Sequence, residues 1–124
     1  MLNKFKMKFY QYPKCSTCRK AAKFLKENNI DFTTIDITEI PPSKAELKAM
    51  LGSYDGEMRK LFNISGVQYR ELKMKDKLPN MSKSQAIELL SGNGKLIKRP
   101  FLLNGNGQGI VGFKEDAWSN FLQA

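Results

Sequence analysis

Cys15-Ser16-Thr17-Cys18 stands between a short strand-like run and a helical stripe, and it holds the only two cysteines of the chain. Residues 7–10 (Met-Lys-Phe-Tyr) alternate basic and apolar, as a short strand does. From Cys18 the small and apolar positions fall at Cys18, Ala21, Ala22 and Leu25, one stripe of a helix that ends near Asn28-Asn29. Residues 30–37 (Ile-Asp-Phe-Thr-Thr-Ile-Asp-Ile) are β-branched and alternating, a second strand. Strand, CxxC, helix and strand confine the first third to the start of a parallel βαβ unit. They also put one thiol at a helix N-terminus and the second one turn inside it. Helix N–H groups and the helix dipole favour thiolate there, the nucleophilic form. Thiol chemistry is what this junction proposes.

The remainder reads as a helical insert followed by a hairpin and a helix. Pro41-Pro42 breaks the second strand. Ser43 and Glu46 make an S-x-x-E capping box, and Leu47, Met50 and Leu51 continue that helix. Residues 52–56 read as a turn and 57–62 as another short helix. The stretch 63–80 is polar and basic with weak periodicity, and no element is assigned to it. Ser82 and Gln85 form a second capping box in a helix over 81–90, with Gly92 as its stop. Residues 96–103 and 109–113, joined by the Gly/Asn-rich turn 104–108, read as a β-hairpin. Residues 114–122 close as a helix carrying Ala117, Trp118, Phe121 and Leu122. No internal repeat or linker interrupts this order. The expectation is one α/β domain over 1–124, β-α-β then β-β-α, with an all-helical insert over residues 41–92.

Composition narrows the chemistry. A chain of 124 residues can bury a core without metal or disulfide staples. It has no apolar run of membrane-spanning length, and Met1-Leu2-Asn3-Lys4-Phe5-Lys6 lacks a signal-peptide core, so a cytoplasmic protein is expected. In a reducing compartment a lone CxxC is redox-active more often than structural. There is no histidine, which removes Cys/His catalysis. Two thiolates alone leave zinc half-coordinated, so no metal is expected short of a site shared across a dimer. The net charge of +9 is mostly lysine spread along the length. It suits an acidic partner, an anionic substrate or a solvated surface; without a nucleic-acid motif, no direct DNA binding is expected.

The element order with CxxC after the first strand is thioredoxin-like. That fold usually carries a cis-proline before its third strand, facing the dithiol, and Pro100 stands at that place; a plain strand-start proline is the alternative. Cys15 is the exposed nucleophile, with Lys14, Arg19 and Arg99 supplying nearby positive charge. Attack by Cys15 gives a mixed disulfide or sulfenate, which Cys18 resolves as Cys15–Cys18. Two buried structural cysteines would account for Cys18 but not for Cys15 in the loop. The planar fork of Arg99 suits an oxyanion or the thiolate; the alternative is a solvated charge beside Lys98.

Four segments together resemble the arsenate reductase (ArsC)/Spx family over residues 7–122. They are Tyr12-Pro13-Lys14-Cys15-Ser16-Thr17-Cys18-Arg19-Lys20-Ala21, Pro41-Pro42-Ser43-Lys44-x-Glu46-Leu47, Leu96-Ile97-Lys98-Arg99-Pro100 and Val111-Gly112-Phe113-Lys114-Glu115-Asp116. Residues 1–6 extend beyond the usual start, which makes Met7 an alternative initiator. The resemblance implies a thioredoxin-like fold with a helical insert. Glutaredoxin-linked arsenate reductases use their first cysteine, here Cys15, and bind the oxyanion with three arginines. Only Arg99 matches one of these; Asn63 and Gly112 hold the other two positions. Each charge-assisted bond is worth about 1.5–3 kcal/mol, so arsenate is not the expected physiological substrate. The CxxC, Lys98-Arg99-Pro100 and residues 111–116 are more similar to the Spx/MgsR branch. Those regulators bind the C-terminal domain of the RNA polymerase α subunit and use the dithiol as a switch. Asp55-Gly56 resembles a glycine at that contact, while Ala124 leaves no counterpart of the longer Spx tail. The resemblance thus implies one of two activities. The first is a thiol–disulfide oxidoreductase without bound cofactor, fed by thioredoxin, glutaredoxin or a small thiol. The second is a redox-sensing regulator acting through polymerase.

Overall fold

The computed structural model describes residues 6–123. Residues 1–5, most of the chain start read above, and residue 124 lie outside the described residues. The βαβ unit forms as the periodicities require: β1 (Met7–Gln11), α1 (Ser16–Glu27) and β2 (Phe32–Asp36). β1 and β2 pair in parallel, Met7 opposite Phe32 and Gln11 opposite Asp36. β3 (Phe101–Leu103) runs antiparallel to β1, and β4 (Gly109–Val111) antiparallel to β3. The sheet order is β2-β1-β3-β4. The hairpin turn closes on Asn104, whose Oδ1 accepts from the N–H groups of Asn106 and Gln108 at 2.8 and 3.2 Å.

Side chains alternate across the two central strands and so seed a core on each face. Phe9 and Leu102 point to the face covered by α1 and by α6 (Glu115–Gln123), where they pack with Ala21, Leu25 and Trp118. Trp118 is fully buried and fixes α6: its Nε1–H donates to Gly112 O at 2.8 Å, edge-on to Phe9 and Phe113. Tyr10, Phe101 and Leu103 point the other way, onto α2 (Lys44–Ser53) and α5 (Lys83–Ser91) of the insert. Both capping boxes form, Ser43 with Glu46 and Ser82 with Gln85. This is the thioredoxin-like α/β arrangement, with a helical insert between β2 and β3. Among the described residues no helix is long and apolar enough to cross a membrane.

Three boundaries differ from the sequence reading. The stretch 63–80 is not structureless; it holds α3 (Val67–Glu71), α4 (Met74–Lys77) and a 3-10 turn, Leu78–Asn80. These pieces are too short for a helical period to repeat, and Lys73 at φ 53° separates the first two. Residues 57–62 contain a 3-10 turn, Met58–Leu61, rather than an α-helix, and α2 runs on through Gly52 to Ser53. The hairpin strands are shorter than read. Gly94–Leu96 is a 3-10 turn, and Ile97 makes one isolated antiparallel bridge, to Phe62. Leu96 and Ile97 are apolar because they are buried, not because they lie in a strand. Around that bridge Asn63 N–H donates to Leu96 O and Lys98 N–H to Leu61 O, both at 2.8 Å. The clasp fastens the insert beside the loop that precedes β3.

Candidate active site

The loop between β1 and α1 turns back at Tyr12, whose carbonyl accepts from Cys15 N–H at 3.0 Å. Cys15 is then the N-cap of α1, in extended conformation, and its Sγ accepts from Cys18 N–H at 3.2 Å. A sulfur thus occupies the place where serine or aspartate usually caps a helix. An N–H bond to that sulfur strengthens as the sulfur gains negative charge. Cys15 is half-buried and Cys18 fully buried, and both are free thiols. Burial first, then the hydrogen bond with Cys15, pushes the Cys18 thiol up to about 12; the Tyr12 backbone and the Arg99 charge pull the other way. Cys18 therefore keeps its proton at neutral pH, below an accessible partner.

The facing wall is the loop before β3. The Arg99–Pro100 peptide bond is cis, so the cis reading of Pro100 holds over the plain strand-start proline. The Arg99 guanidinium lies over the Tyr12 ring, 4.8 Å from its centroid, a cation–π contact that joins this loop to the Cys15 loop. Cys15, Thr17 and Arg99 line one cavity of about 660 Å³, together with Asn63 and Gly112. The two positions at which the resemblance asks for further arginines therefore do reach the same cavity, and neither carries a charge.

Lys14 and Arg19 do not line this cavity. Arg19 instead braces the loop, its Nη1–H donating to Pro13 O at 3.0 Å. Gly56 also lies outside it, on the turn after α2, with φ 83°. Its neighbour Tyr54 does reach the cavity, and the Tyr54 hydroxyl accepts from Val111 N–H at 3.0 Å. Sequence reasoning missed the charge of the wall. Arg59, Lys60, Lys98 and Lys114 line the cavity beside Arg99, gathered from the insert, the loop before β3 and the start of α6. Nothing in their spacing along the chain announces that meeting.

A thioredoxin-like sheet with a CxxC capping its first helix, set against a cis-proline loop, defines a CxxC-bearing protein of the thioredoxin-like class. Within that class the chain belongs to the ArsC family, whose pattern matches residues 10–121. It is 51% identical to the Bacillus subtilis protein YusI over 108 residues, covering 87% of this chain and 91% of that protein. It is 32% identical to the global transcriptional regulator Spx of Enterococcus faecalis over 114 residues, or 91% of this chain and 83% of Spx. A solved structure of an ArsC family related protein from Bacteroides fragilis superposes with a TM-score of 0.86 at 46% identity, covering 95% of this chain and 98% of that one.

Proposed function

We propose that this ArsC-family protein is a self-resolving thiol–disulfide oxidoreductase, with Cys15 as nucleophile and Cys18 as resolving thiol. The observation that carries the reading is the pairing itself: an accessible sulfur, 3.2 Å from the backbone N–H of a buried cysteine one turn on. The Cys15 thiolate attacks one sulfur of a substrate disulfide and forms Cys15–S–S–substrate; the other substrate sulfur leaves as a thiolate and takes up a proton. Cys15 then carries no charge, which removes part of what held the Cys18 proton. Cys18 gives up that proton and attacks Cys15 Sγ. The Cys15–Cys18 disulfide forms, and the second substrate sulfur leaves. Two electrons have passed from the dithiol to the substrate. Thioredoxin, glutaredoxin or a small thiol returns them by the same exchange. Arsenate is left out of the proposal, because Asn63 and Gly112 put no charge where two arginines are called for.

Turnover of 2-hydroxyethyl disulfide above the donor-only rate, with a thioredoxin or glutaredoxin donor, tests this. The wild type turns over, Cys15→Ser does not, and Cys18→Ser accumulates a mixed disulfide seen by mass spectrometry. Unchanged turnover by Cys15→Ser would sink the reading.

A second reading is a redox-sensing regulator that acts on the C-terminal domain of the RNA polymerase α subunit. It is favoured by the identity to Spx across 91% of the chain and by Asp55-Gly56, a left-handed turn (φ 55° and 83°) on the insert. Capture of polymerase by reduced and oxidised protein tests it; no capture in either state removes it. Both readings belong to a reducing cytoplasm.

A further inference from the structure

The cavity at Cys15 is not electrically neutral. Arg59, Lys60, Lys98, Arg99 and Lys114 stand in its wall against Glu57 alone. Among the described residues none of those five cations is in an ion pair; the pairs that form are Lys6–Asp31, Lys8–Glu46 and Lys44–Glu88, all elsewhere. Unpaired cations gathered beside a nucleophilic sulfur repel one another, and an anionic ligand relieves that repulsion.

A second cavity, of about 540 Å³, adjoins the first and shares Asn63, Ser65 and Arg99 with it. Its wall includes Tyr12 and Lys95, with Glu71 as its one carboxylate. Phosphate-like anions bring charge but no disulfide for Cys15 to exchange with. A peptide segment that carries a cysteine disulfide is long enough to span both cavities and, if acidic, brings carboxylates for the first.

Resting on the dithiol reading above, we infer that the substrate is a cysteine disulfide carried on an acidic peptide segment of a protein. The segment crosses Arg99. Its carboxylates lie in the cavity of Cys15, and its backbone continues into the second beside Lys95. The electron count is unchanged: Cys15 and Cys18 supply two electrons, and the peptide cysteine leaves reduced.

The test uses Cys18→Ser protein and short peptides whose single cysteine is disulfide-bonded to thionitrobenzoate, a coloured leaving group. Flanking residues are Asp and Glu, Ser, or Lys. The acidic peptide should react about tenfold or more faster than the Ser peptide, and the Lys peptide more slowly still. Lys60→Glu combined with Lys114→Glu, both exposed in the wall, should abolish the preference. Lys23→Glu with Lys26→Glu makes the same change of net charge outside both cavities and should leave it standing. Equal rates for the acidic and Ser peptides overturn the inference, as does a preference that either lysine pair abolishes equally. So does the mixed disulfide of glutathione with thionitrobenzoate reacting as fast as the acidic peptide, since a small ligand needs only one cavity. In each of those cases continued reaction with 2-hydroxyethyl disulfide leaves the dithiol reading intact. No reaction with any disulfide takes both down.

Discussion

Glu46 is the strut between the strand that leads to Cys15 and the insert, and truncating it gives a worked test of how the two are held. Its Oε1 accepts from Tyr10 Oη–H at 2.8 Å and from Ser43 N–H at 3.0 Å; its Oε2 accepts from Lys8 Nζ at 2.9 Å. Tyr10 is only 3% exposed, so Glu46→Ala strands a buried hydroxyl, a cost of about 1–3 kcal/mol. Lys8 is 53% exposed on its side chain, so that ion pair contributes about 0–1 kcal/mol. Ser43 lies at the surface, and its Oγ still caps the Glu46 backbone N–H after truncation, so the loss there is a few tenths. The sum is about 1–4 kcal/mol for Glu46→Ala. Glu46→Gln keeps the Oε1 acceptor and loses only the charge facing Lys8, about 1 kcal/mol or less. Urea unfolding, read as a shift in midpoint at constant slope, measures both. In a Tyr10→Phe background no hydroxyl is left to strand, so Glu46→Ala should cost at least about 1 kcal/mol less there. Equal costs for the Ala and Gln variants, or no change in the Tyr10→Phe background, would refute the strut. The pH dependence has a definite sign. Burial pushes the Glu46 carboxyl up, but the Ser43, Lys8 and Tyr10 hydrogen bonds and the Lys8 charge outweigh it and hold it below the ordinary carboxylate value. The ionised form therefore stabilises the fold. The gap between wild type and Glu46→Gln is complete above about pH 4.5. It closes as pH falls through the depressed value.

Two further outcomes follow from particular contacts. Gly94 lies against the end of β2, and a Cβ there would sit 1.9 Å from Ile37 O and 2.7 Å from Ile37 C. Both are backbone atoms, so Gly94→Ala should destabilise by about 3 kcal/mol or more in urea unfolding, and a loss below about 1 kcal/mol would contradict that packing. Cys15→Ser removes the Cys15 charge from beside Cys18, so Cys18 should titrate below about 12 by ultraviolet thiolate absorbance. It should remain above the ordinary cysteine range, because burial, the largest cause, persists; an unmoved midpoint would mean that Cys15 contributes nothing.

Legibility in this sequence follows range. Both capping boxes and the βαβ opening could be read because each is specified within a few residues by spacing alone. The same holds for Cys15 and Cys18, whereas Arg99 and Pro100, far along the chain, are placed by the element order. The hairpin was overextended because an apolar run reports burial and not hydrogen-bond pattern: Leu96 and Ile97 sit under the insert without joining the ladder. Within α3 and α4 only Tyr69 and Met74 are buried, too few to mark a stripe. The cationic wall was invisible for a different reason. Lys60 and Lys114 become neighbours of one cavity only after the clasp at Phe62–Ile97 and the anchoring of Trp118 have brought three separate segments together.

The reactive atom of the candidate site is also the cap of its own helix. Serine is a better cap than cysteine, so Cys15→Ser silences the chemistry while securing the start of α1. Lost turnover in that variant is then chemical and cannot be blamed on fraying, whereas alanine would confound the two. In the wild type the dependence runs the other way. Once Cys15 has bonded to a substrate sulfur it accepts the Cys18 N–H less well, and the first turn of α1 is held less firmly. Hydrogen exchange at the Cys18 amide becomes a built-in gauge of the Cys15 sulfur, slow when it is a thiolate and faster when it is spent.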